Sequence, residues 1–153
     1  MRREGACSDV PPPVTFVCPV DNLTPIPAIQ GSGVTSPLVP AGKFEADGTT
    51  ATRGVVTQVV GGLYKGFFLQ DAQGDGDPAT SDGIFVYTTK SDPAIKVGAE
   101  VCVSGKVKEY FNQTQLGADQ WAVSPTPAPR LQPLPLSPSR ARPSPHCSSA
   151  TRG

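Results

Sequence analysis

The sequence has few aromatic residues, a single histidine and no excess of charge of either sign. Aromatic residues make up 7% of its 153 residues, and 13 basic residues balance 13 acidic ones. This balance excludes a polybasic nucleic-acid binder and an acidic tail protein. The chain also has no run of 18 apolar residues, so we expect no transmembrane helix and no membrane partner.

Glycine and proline are abundant instead, with 16 and 18 copies. That is about twice average usage, which helix-rich folds tolerate poorly. Proline is concentrated towards the two ends, so we divide the chain into a Pro-rich N-terminal arm (1–25), a folded domain (26–124) and a Pro/Arg/Ser-rich tail (125–153). The tail has no acidic or aromatic residue. We predict that the arm and the tail are disordered, because such segments bury too little apolar surface to offset their ordering entropy.

The four cysteines, Cys7, Cys18, Cys102 and Cys147, fit no zinc-binding pattern. Two interpretations of the arm stay open: Cys7 and Cys18 form a short disulfide in an oxidising compartment, or both are free thiols. The first residues are not followed by the apolar segment of a signal peptide, so we expect no export signal in the chain as written.

Five short segments have the β-branched or alternating patterns of strands. They cover residues 52–60, 66–70, 83–87, 100–110 and 120–123. Five strands with glycines at bends predict an all-β protein, a small five-stranded OB-fold-like barrel. Strand alternation places Phe67 and Phe68 on opposite faces, and Phe85 on the same face as Tyr87.

Several sequence blocks in the middle of the chain carry a family resemblance. They read IPAIQGSG at 26–33, GVVT at 54–57, GFFLQD at 66–71 and GDGDPATSDGIFVY at 74–87. Over residues 26–116 the chain resembles the YhcR-like OB-fold domain of secreted bacterial-type nucleases. The resemblance implies export and a partner, an endonuclease/exonuclease/phosphatase catalytic domain that follows the OB-fold. It also implies hydrolysis of DNA or RNA phosphodiesters by that domain with divalent cations such as Mg²⁺ or Ca²⁺.

No catalytic residue is carried over from that family. Its chemistry needs acidic metal ligands with histidine acid/base groups, and the only histidine here, His146, lies in the predicted tail. We therefore expect a fragment or truncated paralogue that is not catalytic by itself. Two hypotheses remain: a module that binds single-stranded DNA or RNA weakly, or a structural spacer that packs on a nuclease domain without touching nucleic acid.

OB-folds bind single strands with aromatic platforms and basic side chains, which selects the candidate contacts. The predicted nucleic-acid-binding residues are Arg53, Tyr64, Lys65, Phe67, Tyr87, Lys106, Lys108 and Tyr110, with Phe68, Phe85 and Phe111 as further aromatic candidates. Lys106 and Lys108 share one strand face, for which a plain solvated surface is the competing interpretation.

The segment after the second strand is rich in aspartate. Its candidate calcium ligands occur at offsets 1, 3, 5, 7 and 12, with a glycine at offset 6, as in a calcium-binding loop. They are Asp71, Gln73, Asp75, Asp77 and Asp82. The alternative is a loop whose aspartates bond to the nearby backbone.

Overall fold

The described part of the chain, residues 16–63 and 65–125 of a computed structural model, contains one short helix and five strands. The elements are α1 (Ile26–Gln30), β1 (Thr50–Val60), β2 (Gly66–Gln70), β3 (Gly83–Tyr87), β4 (Glu100–Tyr110) and β5 (Gln113–Val123). The predicted bounds of β2, β3 and β4 are confirmed, whereas β1 begins two residues earlier than expected. The helix in these residues lacks the length and apolar character needed to cross a membrane.

The strands close into a barrel in the order β1-β2-β3-β5-β4. All neighbouring pairs are antiparallel except β3 and β5, which run parallel where Phe85, Val86 and Tyr87 face Gln115, Leu116 and Gly117. The predicted all-β, five-stranded, OB-fold-like barrel is therefore confirmed.

The core lies inside this barrel and follows the alternation of the strands. Val101, Val103 and Val107 on β4 are all fully buried. Gly105 is not a bulge that interrupts this alternation. The unpaired extra residue of the β4–β5 pair is Asp119 on β5, which lies between the partners of Ser104 and Gly105. A side chain at Gly105 would collide with the carbonyl oxygen of Gly117, so only glycine permits this close approach.

The fifth strand is longer than the sequence indicates. It begins at Gln113 rather than at residue 120, so the predicted bounds are wrong for this element. Thr114 and Gln115 are polar yet each only 9% exposed, and the usual apolar pattern of a buried strand is therefore missing. Leu116, which is fully buried, is the one strongly apolar residue of this first half.

The N-terminal segment is joined to the barrel by a disulfide between Cys18 and Cys102 of β4. Both sequence interpretations of Cys18 are wrong, since its partner lies 84 residues away. The Thr24 amide also donates to the Ala51 carbonyl at 2.8 Å, so the segment is attached to β4 at Cys18 and to β1 at Thr24. The rest of the predicted arm (1–15) and the predicted tail from residue 126 onwards lie outside the described residues.

Candidate functional site

An open groove of about 650 Å³ lies on the outer face of the barrel, between the β1–β2 and β4–β5 loops. We call it the aromatic groove, because five of the side chains that line it are Phe or Tyr. The lining residues are Val60, Leu63, Phe68, Phe85, Tyr87, Lys108, Tyr110, Phe111, Gln113 and Gln115. Its position on β2 and β3, flanked by these two loops, is where OB-folds bind oligonucleotides and oligosaccharides.

The floor of the groove is a pair of phenylalanines on neighbouring strands. Phe67 and Leu69 turn into the core, so Phe68 faces outwards from β2 and meets Phe85 of β3. The two ring centroids are 5.0 Å apart with planes tilted by 51°. Gly66 makes room for this arrangement, because a Cβ there would lie 2.6 Å from the ring of Phe85.

One wall of the groove is the tip of the β4–β5 hairpin. Tyr110 and Phe111 form an edge-to-face pair with ring centroids 4.6 Å apart. Phe111 is 86% exposed, so its ring contributes little to the core. Exposed aromatic rings in this arrangement offer flat apolar faces to a ligand.

The hairpin turn holds Phe111 in a backbone conformation that suits it poorly. Phe111 and Asn112 have φ angles of 49° and 63°, the left-handed values of a two-residue type I′ turn. Such turns favour Asn and Gly, and a bulky residue there costs about 1–2 kcal/mol. Because burial does not offset this cost for Phe111, the turn has the character of a strained functional position.

The basic residues beside the groove are paired with one carboxylate. Glu45 lies 2.8 Å from the ammonium of Lys106 and 3.0 Å from that of Lys108. Hydrogen bonds from Lys106 and then Lys108 lower the pKa of Glu45, and the same contact raises the pKa of Lys106. The two lysines do share an outward face, as predicted, but they are ion-paired rather than free.

The structure brings only some of the predicted contacts together. Tyr87, Lys108 and Tyr110 line the aromatic groove, as do the further candidates Phe68, Phe85 and Phe111. Phe67 does not: it is 2% exposed in the core, so a base cannot stack on it in this fold.

The other predicted contacts lie outside the groove. Lys106 lines a neighbouring cavity that shares Tyr87 and Lys108 with the groove. Arg53 lines a separate cavity and lies 3.7 Å from Glu100. Lys65 is exposed just before β2 but does not line the groove, and Tyr64 is outside the described residues.

Two glutamines of β5 line the groove although the sequence did not point to them. Gln113 and Gln115 reach it because β5 begins early and pairs with both β3 and β4. Their amides add hydrogen-bonding groups to an otherwise apolar wall. Only a correct assignment of β5 in the sequence would have identified them.

The aspartate-rich loop between β2 and β3 is held by its own backbone. Carboxylates of Asp71, Asp75, Asp77 and Asp82 each accept at least one hydrogen bond from a loop amide. Asp75 also accepts from the hydroxyl of Thr80 at 2.7 Å, and these contacts lower its pKa, the hydroxyl contributing most. Gln73 is exposed beside them.

A metal centre is not evident in the part of the chain that is described. No group of three or more His, Cys, Asp or Glu side chains there is placed to hold an ion. The local backbone bonds are those of the alternative to calcium binding, while the calcium ligands themselves stay a prediction.

Comparisons with known proteins add little to this geometry. No family model matches the chain, and no curated protein matches it. Among solved structures, the chain is similar to a chain of the S. pombe Stn1-Ten1 complex, with 16% sequence identity and a TM-score of 0.39. The similarity covers 51% of this chain and 59% of that one. The fold class therefore rests on the strand order and pairing described above.

Proposed function

We propose that this chain is a non-catalytic module that binds single-stranded nucleic acid in the aromatic groove. The observation that carries the proposal is the grouping of Phe68, Phe85, Tyr87, Tyr110 and Phe111 at the usual ligand-binding position of an OB-fold. Tyr87, Tyr110 and Phe111 are exposed and offer flat faces on which bases stack, while the buried ring of Phe85 forms the floor beneath them.

Single strands suit this groove better than duplexes. The bases of a single strand are free to leave their neighbours and stack on protein rings, whereas a duplex hides their faces. Gln113 and Gln115 add amide donors and acceptors beside the rings, which suits the edges of unpaired bases.

The proposed binding is weak because little positive charge is free at the site. Phosphate contacts supply much of the affinity of nucleic-acid-binding proteins. Among the described residues that line the groove, only Lys108 is charged, and it is paired with Glu45. Stacking on the rings therefore supplies most of the binding free energy.

The resemblance to secreted nucleases extends the proposal to a biological setting. In that setting the chain holds DNA or RNA near an endonuclease/exonuclease/phosphatase catalytic domain, which hydrolyses the phosphodiester. The Cys18–Cys102 disulfide supports export, because such bonds persist in oxidising compartments and are rare in the cytosol. We assign no catalytic residue to the described part of the chain.

Fluorescence anisotropy of a labelled oligodeoxythymidine, titrated with the protein at low salt, tests the proposal. The decisive variant is Phe111→Asn, which removes an exposed ring while asparagine suits the left-handed turn. We expect its affinity to fall by about 5- to 150-fold, the equivalent of one lost stacking contact.

The matched control is Phe44→Asn. Phe44 is 80% exposed, close to the 86% of Phe111, but does not line the groove. We expect this variant to bind like the unmodified protein. An unchanged anisotropy at high protein concentration would refute nucleic-acid binding and favour the structural spacer. Equal losses in both variants would refute the assignment of the groove.

A further inference from the structure

A short segment before β1 places Glu45 beside the outer face of β4. The Ala46 amide donates to the Val107 carbonyl, and the Glu109 amide donates to the Phe44 carbonyl, each at 2.8 Å. These two bonds hold Glu45 opposite Lys108 in an isolated antiparallel bridge. The position of Glu45 is thus fixed by the backbone and not only by its side-chain contacts.

The Glu45 carboxylate is shared between two lysines. One oxygen lies 2.8 Å from Lys106 and the other 3.0 Å from Lys108. Because the lysines flank Val107 on β4, their side chains leave the same strand face and converge on this single acceptor.

These lysines lie beside the groove. Lys108 lines the aromatic groove itself, and both lysines line the adjoining cavity together with Tyr87. A nucleic-acid strand that extends from the aromatic rings towards the adjoining cavity passes over both lysines. Whether their charge reaches its phosphates depends on Glu45.

We infer that Glu45 determines the specificity of the groove. Its ion pairs with Lys106 and Lys108 neutralise charges that would otherwise attract phosphates, so base stacking selects the ligand. The inference rests on the proposed function. A groove that relies on stacking discriminates in favour of single strands with unpaired bases, whereas a groove with two free lysines attracts any polyanion, including duplex DNA.

The substitution Glu45→Gln tests this inference by an expected gain. Each phosphate contact on a single strand adds about −0.7 to the slope of log affinity against log salt. Two released lysines therefore steepen the slope by up to about 1.4, and the gain in affinity is up to roughly sevenfold larger at 50 mM than at 200 mM salt. The backbone bonds of residues 44 and 46 remain, so the segment keeps its place.

Two further variants separate local from general charge effects. Asp21→Asn makes the same change in net charge at an exposed residue of the N-terminal segment, and we expect no gain from it. Adding Lys106→Gln and Lys108→Gln to Glu45→Gln should remove the gain. We also expect Glu45→Gln to bind a labelled duplex more tightly, so that the preference for single strands narrows.

The outcomes distinguish this inference from the proposed function. If the unmodified protein binds the oligodeoxythymidine but Glu45→Gln shows neither higher affinity nor a steeper salt slope, the role of Glu45 is refuted and the groove stands. A gain that Asp21→Asn reproduces also refutes it. If neither protein binds, the proposed function fails and this inference fails with it.

Discussion

The aspartate-rich loop connects β2 to β3, and the aromatic groove lies on the outer face of the same two strands, but the two regions use their side chains in opposite ways. In the loop, four carboxylates accept hydrogen bonds from backbone amides of the same loop. In the groove, Tyr110 and Phe111 are 48% and 86% exposed, and their rings form an edge-to-face pair.

This difference shows which features point to a ligand. The loop carboxylates act as turn-forming groups, since short aspartate side chains commonly stabilise the backbone next to them. The exposed ring of Phe111 stabilises no core and sits on a strained turn, so the fold alone does not account for it. Function is therefore better sought at the groove than at the loop.

The largest expected effect concerns the barrel that carries both regions. The disulfide spans 84 residues, and removing such a crosslink lowers the free energy of unfolding by about 4.5 kcal/mol in the chain-entropy model. We expect Cys18→Ser combined with Cys102→Ala to show this loss in chemical denaturation. The folded variant should keep its oligonucleotide affinity, because neither cysteine lines the groove. A loss of affinity in the folded variant would show that the N-terminal segment belongs to the site.

Phe111→Asn should weaken binding without lowering stability, which distinguishes an exposed ligand-binding ring from a structural residue. Relief of the left-handed backbone strain raises the free energy of unfolding by up to about 1 kcal/mol, less whatever the ring contact with Tyr110 contributes. We therefore expect a melting temperature no lower than that of the unmodified protein, alongside weaker binding. A clearly lower melting temperature would mean that Phe111 is a structural residue.

Tight calcium binding would show that the loop, like the groove, is a ligand site. The loop carboxylates already accept hydrogen bonds from amides, so a Ca²⁺ ion would bind only to their remaining lone pairs. We therefore expect a dissociation constant in the millimolar range. Millimolar Ca²⁺ should then raise the melting temperature slightly, and Asp75→Asn should abolish the rise. No rise would refute the calcium ligands, whereas saturation at micromolar Ca²⁺ would show that the loop is a ligand site.

The smallest effect is a pH dependence at Trp121, which lines the cavity next to the aromatic groove. The indole of Trp121 donates to Asp92 at 2.9 Å, and this bond, followed by the Ala94 amide, lowers the pKa of Asp92. A carboxyl with a lowered pKa stabilises the fold above its unfolded pKa of about 4 and loses that contribution as pH falls through the folded value. Because Trp121 is the only tryptophan, its fluorescence should report the change.

The control for this measurement is Asp92→Asn, which removes the titrating group. We expect its tryptophan emission to stay constant through the same acid range. An unmodified protein whose emission changes only above pH 5 would contradict the assignment.

Local patterns predicted much of this fold. Alternation correctly separated Phe67 from Phe68 and Ile84 from Phe85, because each strand has one face in the core. The bounds of three strands followed from the same patterns. The predicted β5 is too short, because the buried first half of the strand contains Thr114 and Gln115, which are polar and so do not match the pattern of a core strand.

The candidate site was less predictable, because its contacts join distant parts of the chain. Glu45 and Lys106 are 61 residues apart, and nothing local to either residue indicates their ion pair. The pairing of Cys18 with Cys102 is hidden for the same reason. Composition identified the aromatic candidates, but only barrel closure showed which of them share a groove.

The most direct test of the contrast is a nuclear magnetic resonance titration of the ¹⁵N-labelled protein with an unlabelled oligodeoxythymidine. We predict that amide shift changes cluster on Phe68, on Tyr87 and on residues 108–115, while the amides of residues 71–82 stay unchanged. Changes centred on residues 71–82, or spread evenly over the barrel, would contradict the assignment of the aromatic groove as the binding site.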